Sequence, residues 1–382
     1  VKIVAVSDLH VHPYRLCSRD AGKDRLHDGL SALRQTFDMA RTHGCPWGFC
    51  GDLKMPKLSW PQEALTGALE LFEEFDDVPK LMLPGNHDGD AAHVGGSGLA
   101  PFKKHALVIE QPAIVEWAGP TVAVLPWQAQ RDAKTLFSDA RRLGVTTLLG
   151  HGFVAGVLLG PSETRLPGHG LQLGDFGVGD PFSCVILGDV HKGQRLSRVG
   201  RKPPVWIPWC DASGLDLREQ SPWRGEVLYP GSPYQQNWGE RNDGPKGALL
   251  IDTDTGAVTL LPVQAPRHIL AELPSLRFDV LEGLGRDAKT WEGHFVRLQV
   301  PETILDKSAA KGIIEKLQTT AKARWFHVEP IRTRTTEIRT PIRSGMGSTE
   351  LLQTYLAARK FGGDVSDAAV LSAGLRLLEE RA

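Results

Sequence analysis

KIVAVSDLH (Lys2–His10) and CVILGDVH (Cys184–His191) have the same form: an apolar strand runs directly into an acid and a histidine. Three segments between them repeat the pattern: GFCGD ending at Asp52, LMLPGNH ending at Asn86 and His87, and TTLLGH ending at His151. In open α/β sheets ligands gather beyond the carboxyl ends of the strands, so five such ends can converge on one cleft. Glycine precedes the polar residue at Gly51, Gly85, Gly150 and Gly188. A residue without a side chain lets the backbone turn sharply there and leaves room for ions.

The donors are carboxylates (Asp8, Asp52, Asp189), imidazoles (His10, His151, His191) and one amide (Asn86), with no sulfur. Such a set suits two hard or borderline divalent cations. Two ions roughly 3.5 to 4 Å apart can activate a hydroxide and polarise a phosphoryl oxygen for in-line attack. Asp52 is expected to bridge them. A lone Asp at a strand end is usually a turn or helix cap, and a lone His an ordinary core or surface residue. The ordered series, and GNHD above all, has no such structural explanation. His12, just beyond the first motif, is a candidate substrate contact or a surface histidine.

Working outward, the first 190 residues alternate apolar strands with helical patterns, which predicts an α/β arrangement. Leu26, Leu30, Leu33, Phe37 and Ala40 form the stripe of a helix that Gly44 can end. A second helix is expected from Pro61 to about Phe75 and a third from about Arg131 to Leu143. Residues 155–182 are Gly- and Pro-rich, too long for a simple connection and of a kind that is usually functional. After His191 the pattern becomes β-rich and reads as a second sheet packed on the first. Residues 265–330 read as a small β-α-β module, and the last 35 as two helices broken at Gly362 and Gly363.

At 382 residues, a large domain with smaller modules is expected. Hydrophobic residues are 41% and charged residues 23%, and no apolar run reaches the ~18 to 20 residues of a membrane span. The N-terminus reads straight into a strand without the zones of a secretory signal, so a cytoplasmic location is expected. Five cysteines without CxxC spacing suggest neither a disulfide framework nor a thiolate zinc site. The net charge of −1 gives no global footprint for nucleic acid. Basic residues do concentrate in Ile331–Arg343, where four arginines face one acid.

The series DLH, GDLK, GNHD, GHGF and GDVH resembles the signature of the calcineurin-like metallophosphoesterases, with one departure: Asp189 stands where that family usually has a histidine. YPGSPYQQNWGE (Tyr229–Glu240) is similar to an element of SbcD-type DNA nucleases, called MRE-eleven in archaea and eukaryotes. Bacteriophage recombination nucleases are resembled as much as cellular ones. The resemblance implies a two-sheet α/β/β/α sandwich over residues 1–264, a DNA-facing capping domain at 265–330, a basic linker at 331–347 and a helical tail for a partner at 348–382. It further implies that Asp8, His10, Asp52 and His191 hold one ion, and Asp52, Asn86, His151 and Asp189 the other. His87 would be the general acid protonating the leaving sugar oxygen.

The same resemblance implies manganese, or else magnesium, as the metal, DNA as substrate and an SbcC-type ABC ATPase as partner, and a homodimer is the expected assembly. The rival readings are a phosphatase or small-molecule phosphodiesterase of the same superfamily, and a DNA-end scaffold without catalysis.

Overall fold

The computed structural model describes residues 1–13, 22–55, 60–89, 97–127, 133–154, 157–159, 164–165, 181–197, 205–208, 226–255 and 257–331. In chain order the strands are β1 (Lys2–Val6), β2 (Trp47–Phe49), β3 (Lys80–Met82), β4 (Leu107–Val108), β5 (Ala113–Glu116), β6 (Thr121–Leu125), β7 (Thr147–His151), β8 (Leu158–Leu159), β9 (Thr164–Arg165), β10 (Cys184–Gly188), β11 (Gln194–Ser197), β12 (Val205–Pro208), β13 (Glu226–Tyr229), β14 (Gly247–Asp252), β15 (Val258–Pro262), β16 (His268–Glu272), β17 (Phe295–Pro301) and β18 (Trp325–Ile331). The helices are α1 (Gly22–His43), α2 (Gln62–Glu74), α3 (Ala133–Leu143), α4 (Phe278–Ala288), α5 (Glu302–Leu305) and α6 (Ser308–Ala321).

Two sheets pack face to face. One has six strands in the order β15-β14-β1-β2-β3-β4, the other seven in the order β12-β11-β13-β10-β7-β6-β5. The period of two along each strand assigns its residues to layers. Ile3 and Ala5 of β1 meet Ile186 of β10 and Leu149 of β7 between the sheets. Val4 and Val6 turn outward onto Leu33 and Phe37 of α1 and Phe72 of α2. Val185 and Leu187 turn the other way, onto Leu136 and Ala140 of α3. Strands buried on both faces are continuous apolar runs for this reason, and burying a side chain such as Leu33 or Phe37 contributes ~1.5 to 3 kcal/mol. The result is the expected four-layer α/β/β/α sandwich.

One expectation needs correcting. The strands after His191 do not form a sheet of their own: β11, β12 and β13 extend a sheet that already begins at β5, while β14 pairs antiparallel with β1, Val4 opposite Leu250. Apolar alternation tells which face of a strand is buried, but not which sheet edge the strand will join. The helix termini hold within two residues, and Gly44, at φ +59°, follows α1 as a left-handed terminator.

The module beginning near 265 is richer than β-α-β. Its three strands are all parallel, in the order β16-β17-β18, with α4 inserted before β17. Leu284, Val296, Leu298 and Leu317 build its own core. Its sheet edge docks on α1, where Arg324 donates to Asp28 at 2.6 Å and Arg25 to the same carboxylate at 3.0 Å. The expected linker beyond Ile331, the helical tail and most of the 155–182 loop lie outside the described residues. Among the described residues no helix is long and apolar enough to cross a membrane.

Candidate metal centre

The five strand ends do meet, although they belong to two sheets. β1, β2 and β3 come from one, β7 and β10 from the other, and their carboxyl ends face a common cleft between the layers. Asp8, His10 and His191 form one group whose ligand atoms all lie within 4.8 Å of one another, and Asp52, His151 and Asp189 form a second. Asp52 joins the two: its Oδ2 is 3.8 Å from His10 Nε2 and 3.7 Å from His151 Nε2. Asn86 reaches the second group, its Nδ2 donating to Asp189 Oδ1 at 3.3 Å. The Asn86 Oδ1 is buried and makes no hydrogen bond among the described residues, which leaves an amide oxygen suited to a cation.

Each histidine is turned by a bond on its far nitrogen. His151 Nδ1 meets Cys50 O at 2.7 Å, His10 Nδ1 meets Lys54 O at 3.4 Å, and His191 Nδ1 meets Glu240 Oε1 at 2.9 Å. A proton held on Nδ1 fixes the tautomer that offers Nε2 as a donor. The Nε2 atoms of His10 and His191 then face each other at 3.0 Å, as two ligands of one ion would. His87 lies outside both groups. Its backbone N–H donates to Asp52 Oδ1 at 2.8 Å, its Nδ1 meets Met55 O at 3.2 Å, and its ring stands edge-on to His10 at 4.9 Å. His12 is half-buried and belongs to neither group.

Electrostatics describe a cluster built for cations. Burial, reinforced by Asp88 and Asp8, pushes the Asp52 carboxyl up to about 8, and burial also raises Asp189. Burial, with His191 beside it, holds His10 well below the usual imidazole range. Burial opposes charging at His151 and His191 too, yet the carboxylates around them, Asp52 first at His151 and Glu240 at His191, raise both. Adjacent Cys50 is pushed far above the ordinary thiol range by burial, so it stays protonated and the donor set remains oxygen and nitrogen. These residues fit two divalent ions.

Two residues that complete the centre were not singled out in the sequence. Asp88, the last of GNHD, is buried, and its carboxylate accepts from the backbone N–H groups of Asp52 (2.7 Å), Leu53 (3.0 Å), Lys54 (3.3 Å) and Gly85 (3.0 Å). It ties the β2 and β3 loops together. Glu240, which orients His191, is paired with Lys246 at 2.9 Å and held well below the usual carboxylate range: burial opposes this, and Lys246 and His191 outweigh it. The GNHD run and the Tyr229–Glu240 segment were the only signals that could have led to them.

Residues 1–176 match a family model described as calcineurin-like phosphoesterase. The curated proteins offer no match. Among solved structures, a novel archaeal phosphodiesterase is similar at 12% identity and a TM-score of 0.32, over 69% of this chain and 99% of its own; so loose a likeness carries no argument. The family match stops before Asp189 and His191, which the geometry returns to the same centre. In its ordered donors and over residues 1–176, somewhat less than half of its length, the chain is similar to the calcineurin-like phosphoesterases.

Proposed function

We propose that this protein is a metal-dependent phosphoesterase, and more narrowly a DNA nuclease that hydrolyses phosphodiester bonds with two divalent ions, manganese by preference, and acts with an SbcC-type ATPase in DNA repair, recombination or replication. The observation that carries the reading is the position of Tyr229–Glu240. This segment, the element similar to SbcD-type nucleases, is built into the centre: Gln236 Nε2 donates to the carbonyls of Asp8 and Leu9 at 3.1 and 3.2 Å, and Glu240 orients His191.

When bound, two ions supply Lewis acidity and a water acidic enough to attack phosphorus near neutral pH. Asp8, His10, Asp52 and His191 would hold one, and Asp52, Asn86, His151 and Asp189 the other. The protein's remaining task is the leaving group. With Nδ1–H donating to Met55 O, His87 in its doubly protonated form would pass its Nε2 proton to the departing sugar oxygen and be left as the neutral ring.

The test is purified protein with manganese on end-labelled duplex DNA, beside a nitrophenyl phosphodiester and a nitrophenyl phosphomonoester. Shortening of the labelled strand at nanomolar enzyme supports the nuclease. Turnover of the small esters with DNA untouched would assign the chain to the phosphatases or small-molecule phosphodiesterases of the superfamily.

A further inference from the structure

Trp238 lies two residues before Glu240 in the short 3-10 turn Trp238–Glu240. All three strands of the small module converge on it. His268 of β16 meets its ring edge-on at 4.8 Å, the Arg297 guanidinium of β17 lies 4.3 Å from its centroid, and Trp325 of β18 is 5.9 Å away. The same turn is locked onto the metal centre. Asn237 Oδ1 accepts from Gly239 N at 2.7 Å while its Nδ2 donates to Glu240 Oε1 at 3.0 Å, and Ser232 Oγ and Gln236 N donate to Oε2 at 3.0 and 3.2 Å. Glu240 Oε1 then accepts the hydrogen bond from His191 Nδ1–H.

A rigid path of one turn therefore joins an aromatic socket on the module to a ligand of the first ion. We infer that Trp238 is a positioning residue: seated in the socket made by His268, Arg297 and Trp325, it sets the orientation of Glu240 and hence of His191, so that the placement of the small module governs how tightly the first ion is held. Bonds to the far nitrogen of a ligating histidine typically change metal affinity 10- to 100-fold, and the socket's edge-on ring and cation over the indole supply the directional contacts that hold a turn in register. The inference rests on the two-ion reading of the centre and not on DNA as the substrate.

The test is calorimetric manganese titration of the full chain, with nitrophenyl phosphodiester turnover as a second reading. Trp238→Ala is expected to weaken one of the two binding events about 10-fold and leave the other unchanged, while Trp238→Phe restores most of the loss. Glu240→Gln is expected to weaken the same event, and the double variant Trp238→Ala/Glu240→Gln to be no weaker than Glu240→Gln alone, because both act through His191. Additive losses, or equal weakening of both events, would mean that Trp238 merely supports the fold and would overturn the inference. Unchanged affinity in Trp238→Ala overturns it while leaving the two-ion centre intact. A wild-type chain that binds no divalent ion would sink both.

Discussion

At Asp8, His10, Asp52 and Asp189 the backbone takes φ values of 54, 46, 66 and 96°, a region that side chains other than glycine rarely occupy. Each such conformation costs about 1 to 3 kcal/mol, and four of the six non-glycine examples among the described residues fall on proposed ligands. Asp88 provides compensation through its four backbone bonds. From these roles, Asp52→Ala is expected to abolish metal-dependent hydrolysis, since it removes the carboxylate shared by both groups. His87→Ala is expected to lower turnover by about 10² to 10⁴ while both ions stay bound. Calorimetry beside kinetics checks this, and loss of an ion in the His87 variant would remove that residue from the acid role. Asp189 makes the site more anionic and richer in oxygen than an imidazole would. Asp189→His should therefore stay active but shift its preference from manganese toward nitrogen-favouring ions. Asp189→Ala should lose most activity at limiting manganese and regain part of it at high manganese. Full activity of the alanine variant at limiting metal would contradict the assignment.

Elements place those residues by letting loops approach closely. A Cβ at Gly188 would fall onto the carbonyl oxygen of Cys50 and 2.7 Å from His151 Nδ1, and one at Gly85 would strike the Asp52 carboxylate. Gly188→Ala must displace the bond between Cys50 O and His151, and is expected to weaken manganese binding by about 10-fold or more in a protein that still folds, as circular dichroism would verify. Unaltered binding would show that His151 needs no such anchor. Deleting 348–382 is expected to leave manganese-dependent cleavage intact and abolish co-purification with an SbcC-type ATPase. Retained association would move the dock elsewhere. What the sequence revealed at this scale follows from range. Strand ends carrying candidate donors, the α1 stripe and its Gly44 terminator are local patterns, and their presence was legible. The pairing of β14 with β1, the four bonds of Asp88 and the bridge from Glu240 to His191 join residues distant in sequence or turn on carboxylate orientation, which no periodicity encodes. The strand β16 was missed because HILAE is too short to show alternation against its surroundings.

Across the whole molecule, the centre gathers buried carboxylates and imidazoles where the two sheets meet, so metal occupancy and global stability must be linked. Asp52, at about 8 in the folded protein, lies above its unfolded value of 3.8. In the metal-free protein it therefore binds a proton that the unfolded chain has released, and stability falls as pH rises through that window, the full penalty being reached above about 8. His151 and His191 are also raised; what they contribute is present below the unfolded imidazole value and lost as pH rises through their folded values. The lowered His10 acts in the opposite sense, but only below the unfolded imidazole value of 6.5. Above neutrality, rising pH therefore lowers the stability of the metal-free state, through the growing Asp52 penalty and the loss of what the two raised histidines contributed. Ions remove that penalty by pairing with the charged forms, and they bind better once protons no longer compete. Ligand at ~100 times its Kd adds about 2.7 kcal/mol per site, enough to move the midpoint by several degrees. The expected outcome is a melting temperature lowered by chelator at every pH, with the gap between metal-loaded and chelated protein wider near pH 8.5 than near pH 7. Scanning calorimetry at both values is the measurement. A gap that narrows with rising pH would mean that the buried carboxylates do not share their charge with bound cations.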